Sequence, residues 1–234
     1  MTRPVRRSWS PTGLLVLQDD APRALPAELR AKTRVVFQSA RTLVPWPHKS
    51  SHRLHCVLVA HLREEKDPAT AFAAWRLLPR DIEATLTIIG AALDPALGRA
   101  APRPGGSRPA RAVGWGPRDH AWTRQAIKRA HLLVIPSRME GGANVVVEAV
   151  TSGTAILGTR MSGNVGMLGD DYAGYFAVGH PAEPRGPRQP RIARSGIPAR
   201  ARTRMSPARA PLHARRRRRA RCLPSLTKPR AARE

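Results

Sequence analysis

Cysteine, acidic side chains and long apolar segments are all scarce in this sequence of 234 residues. The two cysteines, Cys56 and Cys222, form no CxxC pair and no Cys/His spacing typical of a metal site, and they provide no disulfide framework. No apolar stretch approaches the roughly 20 residues that a membrane-spanning helix needs, and the apolar run at residues 14–17 is too short for a secretory signal. These absences predict a soluble protein of the reducing cytoplasm, without a membrane partner.

Acidic residues are scarcest at the C-terminal end. Residues 181–234 contain 17 Lys or Arg but only two Asp or Glu, with prolines every few residues and no aromatic side chain. Such a segment buries too little apolar surface to offset the entropy lost on folding, so we predict a disordered Arg/Pro-rich basic tail. Five consecutive arginines at residues 215–219 attract nucleic acid non-specifically, but the tail lacks aromatics on which bases stack. We therefore favour another interpretation, that the tail is a GC-rich gene read out of frame.

Residues 1–180 alternate short β-branched segments with helical patterns. This alternation is typical of βαβ units and predicts an α/β fold with a parallel sheet flanked by helices. Asp67 and Pro68 provide an N-cap and a first helical residue for one predicted helix, and Gly153 ends another. The predicted strands are residues 33–38, 55–60, 84–90, 112–115, 131–136 and 154–158, and the predicted helices are residues 69–78, 118–130 and 143–152.

Two segments fit this alternation poorly. Residues 98–111 have the composition of a loop at a position where a helix is expected. Residues 39–54 contain Pro45, Pro47 and a polar run, and we predict that they form a linker between two strands. The sequence shows no internal repeat.

The most informative segment is residues 134–166, which joins a predicted strand to a predicted helix through a loop of small residues, and we call residues 136–143 of it the glycine loop. It contains Glu140, followed by small residues whose backbone N–H groups are unobstructed at the helix start. The helix dipole favours an anion such as a diphosphate there, and ligands of open α/β sheets bind at the carboxyl ends of strands. Glu148 follows Asn144 by one helical turn, so both lie on one helix face. Carboxylates suit the vicinal hydroxyls of a sugar or a ribose.

The alternative is that Glu140 and Glu148 are solvated surface residues. Valine or alanine occupies most positions around Glu148, at residues 145–147, 149 and 150, so its helix is apolar nearly all round. An isolated buried carboxylate costs several kcal/mol without a partner. This cost makes a solvated position less satisfactory for Glu148, and the pattern alone leaves both interpretations open.

A second segment, residues 61–67, connects another predicted strand to a helix, and we call it the cationic loop. Its Lys66 and Arg63 are placed to neutralise a diphosphate, and His61 can donate a hydrogen bond. The alternative is an ordinary solvated charge run, which is the usual meaning of one such cluster. The combination of two such loops favours a binding site.

Three stretches, AHLREEKDP, SRMEGGANVVVEA and GNVGMLGDDYAGYF, with Glu140 and Glu148 in an E-x7-E spacing, resemble the nucleotide-sugar domain of retaining family-4 glycosyltransferases. They are similar to one branch in particular, the selenosugar synthases of selenoneine biosynthesis, which transfer a sugar from a UDP-sugar to selenophosphate. The resemblance covers roughly residues 14–180. It implies a Rossmann-like domain, the C-terminal half of a GT-B fold, and hexosyl transfer from a UDP-sugar with retention.

The resemblance also implies a role for each matching position. Lys66 would contact the diphosphate and Glu140 the hydroxyls of the donor sugar, so these two are the candidate catalytic residues. Glu148 would bind the ribose diol. The other candidate donor-binding residues are His61, Arg63, Gly141, Gly142, Ala143 and Asn144. The implied partners are a nucleotide sugar and a small-molecule acceptor, with no metal and no cofactor.

The sequence departs from the family at three places. His61 stands where most of the family has arginine, so Arg63 is the candidate for a second diphosphate cation. Residues 1–54 resemble only a remnant of the N-terminal domain with a linker. Residues 55–180 resemble the nucleotide-sugar domain. Residues 181–234 form the tail, which replaces the C-terminal end of the family's fold. We therefore expect a donor-binding half without its acceptor half. The alternatives are a nonfunctional glycosyltransferase fragment and a basic protein that binds nucleic acid through its tail.

Overall fold

The computed structural model describes residues 12–79, 81–103 and 110–180, and for residues 110–115 it describes the backbone alone. The predicted tail, with its arginine run and Cys222, lies outside the described residues. Within them the chain forms a parallel sheet with helices on both faces, which is the predicted α/β architecture.

A small sheet precedes the main one. Two parallel strands form it, β1 (Leu14–Val16) and β2 (Thr33–Val35). A 3-10 turn (Ala21–Ala24) and the short helix α1 (Ala27–Arg30) connect them. From residue 36 to residue 53 the chain has no helix or strand, and β3 begins at Leu54.

The main sheet contains six parallel strands in the order β5-β4-β3-β6-β7-β8. The strands are β3 (Leu54–Val59), β4 (Ala84–Ile89), β5 (Ala110–Gly116), β6 (Leu132–Ile135), β7 (Ala155–Thr159) and β8 (Tyr175–Phe176). The central neighbours β3 and β6 pair with Cys56 opposite Leu132 and Leu58 opposite Val134. Because all strands run the same way, the loops that follow β3 and β6 emerge at one edge of the sheet, side by side.

Five helices connect these strands. They are α2 (Pro68–Leu77), α3 (Pro95–Ala100), α4 (His120–Arg129), α5 (Asn144–Ser152) and α6 (Ser162–Leu168). The Asp67 side chain caps α2 by accepting from the Thr70 N–H, and Gly153 ends α5 in the left-handed conformation with φ of 71°, both as the sequence predicts.

The core lies on both faces of the main sheet because consecutive strand residues point to opposite sides. Val57 of β3 packs with residues of α4, α5 and α6, whereas its neighbour Leu58 packs with Phe72 of α2 on the other face. Cys56 is buried beside Leu58, and burial raises the pKa of its thiol to about 12. This thiol stays protonated at neutral pH and packs as an apolar side chain.

The prediction of a loop at residues 98–111 is wrong at both ends. Helix α3 includes residues 98–100, and β5 begins at Ala110. The helix forms because the Asp94 side chain accepts from the Ala96 and Leu97 N–H groups, and Pro95 occupies the first helical position. Residues 104–109, in the middle of the predicted loop, lie outside the described ranges.

None of the helices in the described ranges combines the length and the apolar composition that crossing a membrane requires.

Candidate functional site

Lys66 and Glu140 meet at the carboxyl-terminal edge of the main sheet. Lys66 closes a 3-10 turn (Glu64–Lys66) after β3, and Glu140 lies in the glycine loop after β6. The Lys66 ammonium donates to Glu140 Oε1 at 2.5 Å, and the two side chains are only 18% and 11% exposed. Ser137 Oγ donates to the same oxygen at 3.0 Å. The cationic loop and the glycine loop therefore share one half-buried ion pair.

A second set of contacts fixes the two loops against each other. Arg138 Nε donates to Asp67 Oδ2 at 3.1 Å, and the Arg138 backbone N–H donates to the Glu65 carbonyl at 2.9 Å. Asp67 is 3% exposed and has a φ of 42°, so the residue after Lys66 sits in the left-handed conformation while its side chain caps α2. Because Asp67 is held at both its backbone and its carboxylate, the position of Lys66 is set by the fold.

The start of α6 packs closely behind the glycine loop. A Cβ atom on Gly163 would lie 2.1 Å from the Glu140 carbonyl oxygen, so no larger residue fits without moving that backbone. Thr159 Oγ1 donates to the Ser137 carbonyl at 2.5 Å, and the buried Asn164 side chain donates to the Thr159 carbonyl at 2.9 Å. These contacts support the Glu140 backbone on the side that faces α6.

Glu148 is buried in α5, with its side chain 2% exposed, and is not a solvated helix position. Asn144 Nδ2 donates to Glu148 Oε1 at 2.9 Å, which is the predicted one-turn relationship. His120 Nε2 lies 2.6 Å from the same oxygen. The burial of this carboxylate is therefore compensated by two nitrogen donors.

The N-terminus of α5 is open. Ala143 occupies the N-cap position and no side chain caps this end, so the first N–H groups of the helix carry the positive end of its dipole without a side-chain acceptor. A Cβ atom on Gly141 would meet no atom within 4 Å, whereas one on Gly142, which has a φ of 148°, would meet the Leu17 side chain at 2.7 Å. The small residues thus leave room in front of Gly141 and permit the tight turn at Gly142.

His61 and Arg63 have other partners. His61 Nδ1 accepts from the Ala91 N–H at 3.0 Å, which ties the cationic loop to the loop after β4. Arg63 Nε pairs with Glu65 Oε1 at 2.7 Å, and both side chains are close to half exposed. Within the described ranges, neither residue forms a hydrogen bond or an ion pair with Lys66 or Glu140.

The structure adds three residues that the sequence did not point to. Ser137 and Arg138 follow β6 after Pro136, and their position near a strand end is the available signal. His120 is the first residue of α4, after β5, and no sequence pattern connects it with Glu148. Its contact depends on sheet order, which places β5 and β6 on either side of the β4–β3 pair.

Two pairs of adjacent aspartates, Asp19–Asp20 and Asp170–Asp171, line one cavity of about 340 Å³. Asp20 pairs with Arg23 at 3.0 Å, and Asp170 with Arg160 at 3.2 Å. In the part of the chain that the structure describes, no three His, Cys, Asp or Glu side chains are arranged to hold a metal ion.

A sequence comparison with protein families decides the family. The profile of the group 1 glycosyl transferases matches residues 47–183, which is more than half of the chain. The chain belongs to the group 1 glycosyl transferases. The matched range includes the cationic loop, the glycine loop and α5.

Solved glycosyltransferase structures share the fold. Sucrose-phosphate synthase from Thermosynechococcus elongatus has a TM-score of 0.55 and 15% identity, over 71% of this chain and 45% of that one. HepE of Anabaena, in complex with UDP and glucose, has a TM-score of 0.52 and 14% identity, over 73% of this chain and 50% of that one. The apo form of the lipopolysaccharide outer core galactosyltransferase WaaB has a TM-score of 0.52 and 20% identity, over 72% and 49%.

At these identities the likeness shows the fold alone, and this chain spans half or less of the length of those structures. No curated protein matches this chain. The predicted fold, a Rossmann-like parallel sheet flanked by helices as in GT-B glycosyltransferases, is confirmed, and so is the glycosyltransferase family. Retention, family 4 and the selenosugar branch stay predictions.

Proposed function

We propose that this chain is the donor-binding part of a retaining glycosyltransferase of family 4, which transfers a hexosyl group from a UDP-sugar. The observation that carries the proposal is the Lys66–Glu140 pair, which joins two strand-end loops beside an open helix N-terminus in a group 1 glycosyl transferase. A cation, a carboxylate and unpaired backbone N–H groups are the chemistry that a sugar joined to a diphosphate needs.

Each group takes one part of the donor. Lys66 contacts the diphosphate, together with the backbone N–H groups of residues 141–144 at the α5 N-terminus. Glu140 binds hydroxyls of the sugar, and Glu148 binds the ribose diol. His61 and Arg63 are outer members of the site, with Arg63 reaching the diphosphate only after leaving Glu65.

The two carboxylates share a feature that supports these roles. In both Glu140 and Glu148 the hydrogen bonds within the described ranges fall on Oε1. Each carboxylate is thus anchored through Oε1, and in the proposed complex its Oε2 accepts a hydrogen bond from a hydroxyl of the donor.

The same groups provide the chemistry of transfer. When the bond between the anomeric carbon and the diphosphate breaks, negative charge grows on the leaving UDP. The Lys66 ammonium and the α5 N–H groups face that charge and stabilise it in a half-buried site, where electrostatic interactions are stronger than in water. Contacts from Glu140 and Glu148 to remote hydroxyls hold the anomeric carbon in position.

The proposals for the donor and for the acceptor rest on different observations. HepE carries UDP and glucose in its structure, and a mutant of TarM from S. aureus carries UDP, which supports a uridine nucleotide for a chain of this fold. Selenophosphate is proposed as acceptor from the sequence resemblance alone. Residues 55–180 form the proposed nucleotide-sugar domain, and residues 1–54 the remnant of the other domain with its linker.

Replacement of Glu148 by alanine tests the donor site. We expect the affinity for UDP to fall by about 1–3 kcal/mol, because a charge-assisted hydrogen bond to the ribose is lost. Isothermal titration calorimetry of the full chain at fixed salt measures this. The matched control is Glu83→Ala, which removes an exposed glutamate paired with Arg53 just before β3, at the opposite edge of the main sheet. Equal UDP affinity in the unmodified chain and the Glu148 variant would remove the ribose assignment.

A further inference from the structure

Glu148 is held by a residue that the donor-site pattern does not include. His120 Nε2 lies 2.6 Å from Glu148 Oε1, and Asn144 Nδ2 donates to the same oxygen at 2.9 Å. An ionised carboxylate only accepts hydrogen bonds, so the imidazole N–H donates. Asn144 is on the same helix as Glu148, whereas His120 belongs to α4. His120 therefore provides the contact that fixes Glu148 relative to a second helix.

The position of His120 is set by the start of α4. Asp119 caps this helix by accepting from the Trp122 N–H at 2.8 Å, and Thr123 Oγ1 donates to the Asp119 carbonyl at 2.8 Å. His120 is the next residue, and its side chain is 73% exposed while Glu148 is 2% exposed. The imidazole thus stands between solvent and a buried carboxylate, with its backbone fixed by the helix cap.

We propose that His120 is a positioning residue of the donor site. By holding Glu148 Oε1, its N–H fixes the orientation of the carboxylate, so that Oε2 accepts a hydrogen bond from the ribose diol of a uridine nucleotide. The inference rests on the proposed function, because it takes the ribose as the ligand of Glu148. It adds α4, through His120, to the elements that form the site.

Two physical arguments favour positioning over a purely structural contact. First, the two donors come from different helices and meet at one oxygen, so together they fix the rotation of the Glu148 carboxylate. Second, His120 is largely exposed and lies in the first turn of α4, so its imidazole adds little apolar burial to the core. The His120–Glu148 contact therefore contributes more to the orientation of the carboxylate than to core packing.

The test compares UDP with 2′-deoxy-UDP in the full chain. Both nucleotides carry the same diphosphate, so any non-specific attraction to basic segments contributes equally and cancels in the ratio of the two affinities. If Glu148 accepts from the ribose diol, the unmodified chain prefers UDP by about 10- to 100-fold. In His120→Ala this preference is expected to fall several-fold toward unity. In His120→Gln, whose side-chain amide can place an N–H near Glu148, most of it is expected to return.

The control is His52→Ala, which removes an exposed imidazole that forms no side-chain hydrogen bond or ion pair in the described ranges, and its preference for UDP should equal that of the unmodified chain. The inference is overturned if the ratio in His120→Ala is unchanged. It is also overturned if the preference for UDP rises in His120→Ala, because the imidazole would then block access to the carboxylate. A third contradicting result is that His120→Gln has the same preference as His120→Ala. A failure of the proposed function looks different, because the unmodified chain itself would then bind both nucleotides equally or neither.

Discussion

Replacement of Lys66 by methionine is expected to lower the affinity for UDP by about 10- to 100-fold, which corresponds to about 1.5–3 kcal/mol. Methionine has a similar length without the charge, so it keeps the packing of the cationic loop while the diphosphate loses its cation. The control is Lys128→Met in the last turn of α4, at the end of the helix opposite His120. UDP affinity in that variant should stay at the level of the unmodified chain.

Lys66→Met is also expected to lower the free energy of unfolding, and a double variant separates this effect from the loss of UDP affinity. Within the described ranges, Lys66→Met leaves the Glu140 carboxylate, 11% exposed, with the Ser137 hydroxyl as its remaining hydrogen-bond partner. The free energy of unfolding should fall by about 2–3 kcal/mol, less than for a fully buried pair. Lys66→Met combined with Glu140→Gln removes both charges and should recover most of this stability in urea unfolding. It should not recover UDP affinity; recovery of both would reduce Lys66 to a structural role.

Replacement of Gly163 by alanine is expected to distort the site through the contact between α6 and the glycine loop. The new Cβ would lie 2.1 Å from the Glu140 carbonyl oxygen and 2.8 Å from its carbonyl carbon, so the glycine loop or α6 must shift. We expect the free energy of unfolding to fall by about 1–3 kcal/mol. We also expect UDP affinity to fall by about 10-fold or more, because displacements near 1 Å are costly at such sites.

Gly13→Ala is the matched control for this glycine substitution. A Cβ at Gly13 would have the Lys32 carbonyl oxygen at 3.7 Å as its nearest atom, an ordinary contact, and the φ of Gly13 is outside the left-handed range. Urea unfolding and calorimetry with UDP should give the same values for this variant as for the unmodified chain. Normal UDP affinity in Gly163→Ala would show that the position of the Glu140 backbone does not control the donor site.

The parts of the site that the sequence predicted are those set by local chemistry. Lys66 and Glu140 each follow a short apolar strand, and the shared direction of parallel strands was enough to expect them at one edge. The capping of α2 by Asp67 and the end of α5 at Gly153 follow from residue type alone. The prediction for residues 98–111 misses the end of α3, because their loop composition does not show the helix that Asp94 and Pro95 start upstream.

The parts that the sequence could not supply depend on contacts between distant elements. His120 and Glu148 are 28 positions apart on different helices, and Arg138 and Asp67 are 71 positions apart. The fit of Gly163 against Glu140 requires the path of both backbones. The sequence also does not predict that Arg63 pairs with Glu65, because a run of charged residues does not show which of its members form ion pairs.

The central claim is that the cationic loop and the glycine loop bind one nucleotide together. The most direct measurement is a titration of the isotope-labelled full chain with UDP, followed through its backbone amide resonances. The account predicts that residues 61–67, residues 136–143 and the first turn of α5 shift together and saturate at one UDP concentration. Shifts confined to residues 181–234, or to only one of the two loops, would contradict it.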